Sequence, residues 1–174
     1  PGVCYRLWSE SDNLRKENLP AILSADLTAF VLELAQWGSH SPEQLPLLEQ
    51  PNRGAFSQAQ SLLVSLSALD NNFKLTPHGH SLLKLSVHPR LAHMLIKAKE
   101  LGALELGCLI AAMLEEKDIF YGEQRFNPDF MARVDYLLNT SNKDFKIKSI
   151  IVPRFNQCLN IFWKTTSSIT DTWE

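Results

Sequence analysis

Apolar residues recur along the chain with a helical period, and the residues between them carry start and stop signals. Leu27, Phe30, Val31 and Leu34 fall at i, i+3, i+4 and i+7. They predict a helix opening near Ser24 and ending at Trp37, with Gly38 as the residue just past its end. Ser41-Pro42-Glu43-Gln44 predicts a second, short helix, with Ser41 as cap, Pro42 first and Gln44 reaching back. After Pro51-Asn52 resets the chain, Ala55, Ala59, Leu62, Leu63 and Leu66 line one face of a third helix, Gly54–Leu69. Asp70-Asn71-Asn72 turns the chain into a short extended piece, Phe73–Leu75. Thr76-Pro77 and His88-Pro89 each place a proline at the first position of a new helix. These two helices are Pro77–Leu85 and Pro89–Leu101, the second with Leu91, Met94, Leu95 and Ala98 on its apolar side.

Gly102 ends that helix, and Leu104–Leu114 is apolar nearly all round, the pattern of a helix central to a bundle. Asp118–Phe126 reads as a loop. Asn127-Pro128 starts a helix carrying Phe130, Met131, Val134, Leu137 and Leu138, and a last pattern runs through Lys143–Lys164, kinked or split by Pro153. Thr165–Glu174 shows no period. At the other end Val3–Leu7 alternates as a strand does, with no partner in the downstream sequence. It is expected to belong to a preceding sheet. The expected fold is therefore mainly α: a winged-helix unit with a short β element over residues 24–86, then a helical bundle over residues 87–174. Residues 1–23 are expected to be a terminal strand and linker.

Composition narrows the function classes. The 174 residues are 45% hydrophobic and 21% charged, a globular balance. With 17 Lys and Arg against 19 Asp and Glu, the net charge of −2 provides no global basic field. Any nucleic-acid contact must come from a local patch. Cys4, Cys108 and Cys158 lie far apart, with no C-x-x-C pair, which fits reduced thiols and a cytoplasmic location. No apolar run has membrane-spanning length and no signal peptide is visible.

The candidate chemistry is sparse. His78 and His80 are two apart, and His88 and His93 five apart, so neither pair shares a helix face. With no cysteine nearby, they read as surface or capping residues rather than metal ligands. Glu115 and Glu116 diverge by about 100° around a helix and read as a solvated helix end. No G-x-x-x-x-G-K-[ST] loop or nucleophile elbow occurs. No catalytic or metal residue is nominated. The basic residues are more suggestive. Arg90 and Lys97, with Lys99, mark the Pro89 helix, and Lys143, Lys146, Lys148, Arg154 and Lys164 mark the last one. A face of this kind can neutralise phosphates, though such stripes are more often ordinary solvated faces. Arg90, Lys97, Lys143, Lys146 and Lys148 are the nominated nucleic-acid residues.

An ordered string of short motifs adds a resemblance. Leu32-Glu33-Leu34, Trp37-Gly38, Ala68-Leu69-Asp70, Leu75-Thr76, Gly79, His88-Pro89-Arg90-Leu91-Ala92 and Ala111-Ala112-Met113-Leu114 succeed one another in that order. This string resembles the helicase-associated region of DEAH-box ATP-dependent helicases, in the bacterial HrpB type, over about residues 1–118. The opening Pro1-Gly2-Val3-Cys4-Tyr5-Arg6-Leu7-Trp8 resembles the last strand of the second RecA-like domain. Ser67 departs from the family, which more often has Gly before Ala-Leu-Asp.

The resemblance implies an accessory C-terminal region of a parent enzyme that couples ATP hydrolysis to movement along RNA or DNA. ATP and Mg²⁺ would belong to the parent's RecA-like domains, so the region alone is expected to have no ATPase activity and no cofactor. Its expected partners are RNA or DNA through the parent, and those domains themselves, with no membrane. The rivals are a stand-alone winged-helix DNA-binding regulator and a protein-interaction module. The regulator needs a basic recognition helix, whereas the polar side of Gly54–Leu69 carries Gln58, Gln60 and serines.

Overall fold

Capping chemistry sets the helix boundaries in the computed structural model. It describes residues 20–120, 126–139 and 151–160, together with 2, 3, 5, 7–9 and 122. Six helices are bounded: α1 (Thr28–Gln36), α2 (Arg53–Ser65), α3 (Pro77–Leu83), α4 (Pro89–Glu100), α5 (Leu104–Glu115) and α6 (Phe130–Asn139). Residues 151–160 are also helical. Asn52 caps α2 by accepting from the Gly54 and Ala55 amides, and Thr76 Oγ1 caps α3 by accepting from Gly79 N at 3.0 Å. In α4 the cap is the His88 ring, whose Nδ1 accepts from Arg90 N at 3.3 Å. Three helices end alike. After α1, α2 and α4 the chain passes through Gly38, Ser67 and Gly102 at φ +80°, +57° and +70°. In each, two amides fold back onto carbonyls of the last turn: at α2, Ser67 N donates to Val64 O at 2.9 Å and Ala68 N to Leu63 O at 2.8 Å.

Ser67 thus holds a left-handed conformation that glycine adopts without strain. The residues after it form a joint between α2 and α3. Asp70 Oδ1 accepts from the Asn72 and Lys74 amides, Asp70 N donates to Lys74 O, and the chain returns along α2's exit. Thr76 N donates to Ala68 O at 3.0 Å, and Thr76 Oγ1 donates to Ser67 O at 2.7 Å. Here α3 approaches so closely that a Cβ on Gly79 would lie 2.2 Å from Ala68 O.

Several expectations change. The first helix begins at Thr28, not Ser24, because Ala21–Leu23 forms a separate 3₁₀ turn and Asp26 Oδ1 takes up the Thr28 amide at 2.7 Å. Pro42–Gln44 is only a 3₁₀ turn. Its capping box does not form, because Ser41 Oγ donates to Glu43 and Gln44 Oε1 accepts from Ser39 Oγ. The third helix stops at Ser65, since Ser67's backbone cannot continue it. The β element at Phe73–Leu75 reduces to one antiparallel bridge, Leu69 to Leu75, with no strand among the described residues. Phe73 at φ +59° bends the segment away from extended geometry. Val3, Tyr5 and Leu7, the alternating positions of the expected N-terminal strand, are 81%, 82% and 95% exposed and carry no ladder, as a strand without a partner cannot. The last helix's first half, residues 143–150, and the tail 165–174 lie outside the described residues, as do Cys4 and Lys164.

The core forms two clusters that meet at α5. One gathers Leu32 and Leu34 of α1, Phe56 and Leu63 of α2, Leu82 of α3, Leu95 of α4, and Cys108 and Ala111 of α5. The other joins Ala112 and Met113 of α5 to Ile119, Val134 and Ile151. Successive α5 residues therefore face different clusters, which explains why this helix is apolar nearly all round. Fully burying a leucine such as Leu63 or Leu95 contributes about 1.5–3 kcal/mol.

Candidate nucleic-acid interface

On α4 the residues Arg90, His93, Lys97 and Glu100 recur at three- and four-residue spacing, so they share a face. Ala92 and Leu95 turn the opposite way into the core. Arg90 and Lys97 are exposed, seven residues apart, about 10 Å along the axis at 1.5 Å per residue. Arg90 borders a cleft of about 190 Å³ with Asp26, Thr28, Gln58 and Leu62. At the same end, His88 Nε2 lies 3.4 Å from Asp26 Oδ2. The Thr28 hydrogen bonds, and to a smaller degree His88, hold the Asp26 carboxyl below the usual carboxylate range. Lys97 Nζ donates to Glu100 Oε2 at 2.7 Å, an exposed pair of the kind worth about 0–1 kcal/mol, easily exchanged for a phosphate.

Lys143, Lys146 and Lys148 lie outside the described residues, so of the five nominated cations Arg90 and Lys97 are the two placed on one surface. Arg154, another basic residue noted on the last helix, is engaged elsewhere. Its guanidinium pairs with Glu115 and donates to Gln157 Oε1 at 2.6 Å. Glu115 is accordingly not the solvated helix end its sequence suggested, but half of a largely buried ion pair tying α5 to the 151–160 helix. In α2, the helix start at Arg53 adds one basic residue, 3.8 Å from Glu43, and no basic stripe.

Two further groupings were not visible from sequence spacing. Arg133 of α6 holds Asp118 with both arms, at 3.1 and 2.8 Å, and donates to the Asn127 and Asp129 carbonyls while stacking 5.0 Å over the Phe120 ring. His78 and His93 meet across α3 and α4. His93 does sit between Arg90 and Lys97 in register, the one hint the sequence offered. Burial, and then the neighbouring Cys158, push the Cys108 thiol up to about 11, and burial also raises Cys158, so both behave as inert core residues. Among the described residues, no three His, Cys, Asp or Glu side chains converge as metal ligands, and no helix is long and apolar enough to cross a membrane.

Residues 88–148 match the family model of the helicase associated domain (HA2), ratchet-like. The chain is 32% identical over 150 residues to the ATP-dependent RNA helicase HrpB of Escherichia coli. It carries the helicase-associated region of the DEAH-box helicases. That alignment covers 82% of this chain and 18% of HrpB. The E. coli ATP-dependent RNA helicase HrpA is 32% identical over 124 residues, covering 67% of this chain and 10% of HrpA. A crystal structure of the E. coli DExH-box NTPase HrpB superposes with a TM-score of 0.63 at 29% identity, over 83% of this chain and 16% of that one. This helicase-associated region thus spans less than a fifth of the length of these relatives. All five nominated cations fall inside the matched interval 88–148.

Proposed function

We propose that this helicase-associated region serves as an accessory element of an ATP-dependent RNA helicase, where its basic α4 face, with Lys143, Lys146 and Lys148, contacts the phosphates of a bound strand. The observation that carries this reading is the coincidence of the Arg90–Lys97 face with the segment matched by the helicase-associated model. RNA is favoured over DNA because the similar proteins are named RNA helicases. The α1–α3 unit with its Leu69–Leu75 turn acts as a winged-helix-like module that docks on the RecA-like domains, with the division from the bundle near residue 87. The bundle then helps wall the channel, and closure of the motor domains changes its grip on the strand. ATP and Mg²⁺ are held by those domains, the region alone does not hydrolyse ATP, and the protein works in the cytoplasm.

Photo-crosslinking of bound RNA tests the interface: crosslinked peptides are expected from α4 and from residues 143–148. Their confinement to other surfaces would remove the reading. Mg²⁺-dependent ATPase activity in the purified 174-residue chain would overturn the separate assignment of ATP to other domains.

A further inference from the structure

Two imidazoles join α3 to α4. His78 Nε2 and His93 Nδ1 are 2.9 Å apart, and the rings cross at 88° with centroids 5.0 Å apart. Both rings are half-buried. A hydrogen bond between imidazoles needs one nitrogen with a proton and one with a lone pair. The neutral pair satisfies this and so does the singly protonated pair. The doubly protonated pair cannot, because it sets two N–H groups and two positive charges against each other.

We propose that the His78–His93 contact is an acid-opened clasp that fixes the packing of α3 on α4. Its position gives it leverage. α3 has seven residues, and His78 is the second of them, one turn from the Thr76 and Ala68 bonds that tie this end of α3 to the exit of α2. Opening the clasp leaves those bonds, with the Leu82 contact in the core, to hold the helix.

The surrounding charges oppose a second proton. Lys97, one turn from His93, adds positive charge, and Glu100 acts the other way but is already bonded to Lys97. On α3 His80 is exposed, as is Lys84 just past its end. Glu33 of α1 lines a cleft with Leu82 and Leu83, at the far end of α3, while Asp70 of the adjoining turn accepts backbone amides and Lys74 is exposed. Burial first, then His93 and Lys97, hold His78 below its ordinary value of 6.5. The unfolded chain therefore binds more protons than the folded one just below that value. Stability contributed by the clasp is fully present above 6.5 and is lost as the pH falls through the lowered folded value.

The test is a double-mutant cycle on the chain with His78→Ala, His93→Ala and both, unfolded in urea near neutral pH and again at about pH 5. The cycle cancels the other histidines. Expected is a coupling of about fivefold in the unfolding constant near neutrality, the size of one neutral hydrogen bond, falling below about twofold in acid. Nuclear magnetic resonance titration of the wild-type ring nitrogens needs no variant, and should show His78 taking its proton below the ordinary value of 6.5. Equal coupling at both pH values, no coupling at neutrality, or His78 taking its proton at or above 6.5 would overturn the clasp.

Discussion

Gly79→Ala is expected to destabilise the chain by about 2–4 kcal/mol, although helix propensity alone would have it gain roughly 1 kcal/mol. Gly79 lies inside α3 with ordinary helical backbone, so conformational freedom is not what the position requires. Space is. An added Cβ would stand 2.2 Å from Ala68 O and 2.7 Å from Leu75 Cδ1, where ordinary contact lies at about 3.5 Å. Leu75 can rotate, but the Ala68 carbonyl is held, accepting from Thr76 N at 3.0 Å and lying 3.1 Å from Thr76 Oγ1. Relief requires α3 to back away from the α2 exit, stretching bonds worth about 1 kcal/mol each on top of the roughly 1–3 kcal/mol of overpacking. Urea unfolding followed by far-ultraviolet circular dichroism reads the effect as a midpoint lowered by about 1–2 M at a typical slope for a small protein. An unchanged or raised midpoint would refute the close approach.

Other joints in the fold make their own predictions. Ser67→Gly should raise stability by about 0.5–1 kcal/mol, because φ +57° costs a serine what it does not cost glycine, and a thermal or urea midpoint checks it. Gly107→Ala should lower stability by about 1–3 kcal/mol, its Cβ meeting the Ala98 Cβ at 2.7 Å, and Ala98→Gly in the same chain should restore part of the loss. Arg133→Met should speed hydrogen exchange at the Phe120 and Asp129 amides, which its partners order, while leaving the amides of α1 and α2 unchanged.

Of the four expected cap-and-proline starts, Thr76-Pro77 and His88-Pro89 were legible to the residue. Ser41-Pro42 opens only a 3₁₀ turn, and the helix expected at Asn127-Pro128 begins at Phe130, where Asp129 Oδ1 takes up the Met131 amide. α3 and α4 start at Pro77 and Pro89 as expected, and α5 spans Leu104–Glu115 against an expected Leu104–Leu114. These signals are local, since a missing amide and a side-chain acceptor act within one turn. The errors arose where local signals competed. Ser41 found Glu43 nearer than the amide it was to cap, and Phe73 took a left-handed turn instead of an extended one. The pairings His78–His93, Arg133–Asp118 and Glu115–Arg154 were illegible for another reason. Each joins residues at least fifteen apart on different elements, and helix packing rather than spacing brings them together. Arg90 and Lys97 lie on one face of α4, as their spacing implied, but His93 on that face is committed to a bond that spacing could not reveal.

The phosphate contact is tested most directly by the salt dependence of RNA binding by the full-length protein, wild type against Arg90→Gln/Lys97→Gln. Each phosphate neutralised on a single strand contributes about 0.7 to the slope of log affinity against log salt, so losing two contacts should flatten it by about 1.4. Affinity should fall nearly uniformly across RNA sequences. The same slope and the same affinity in the double variant would contradict a phosphate-binding role for this face.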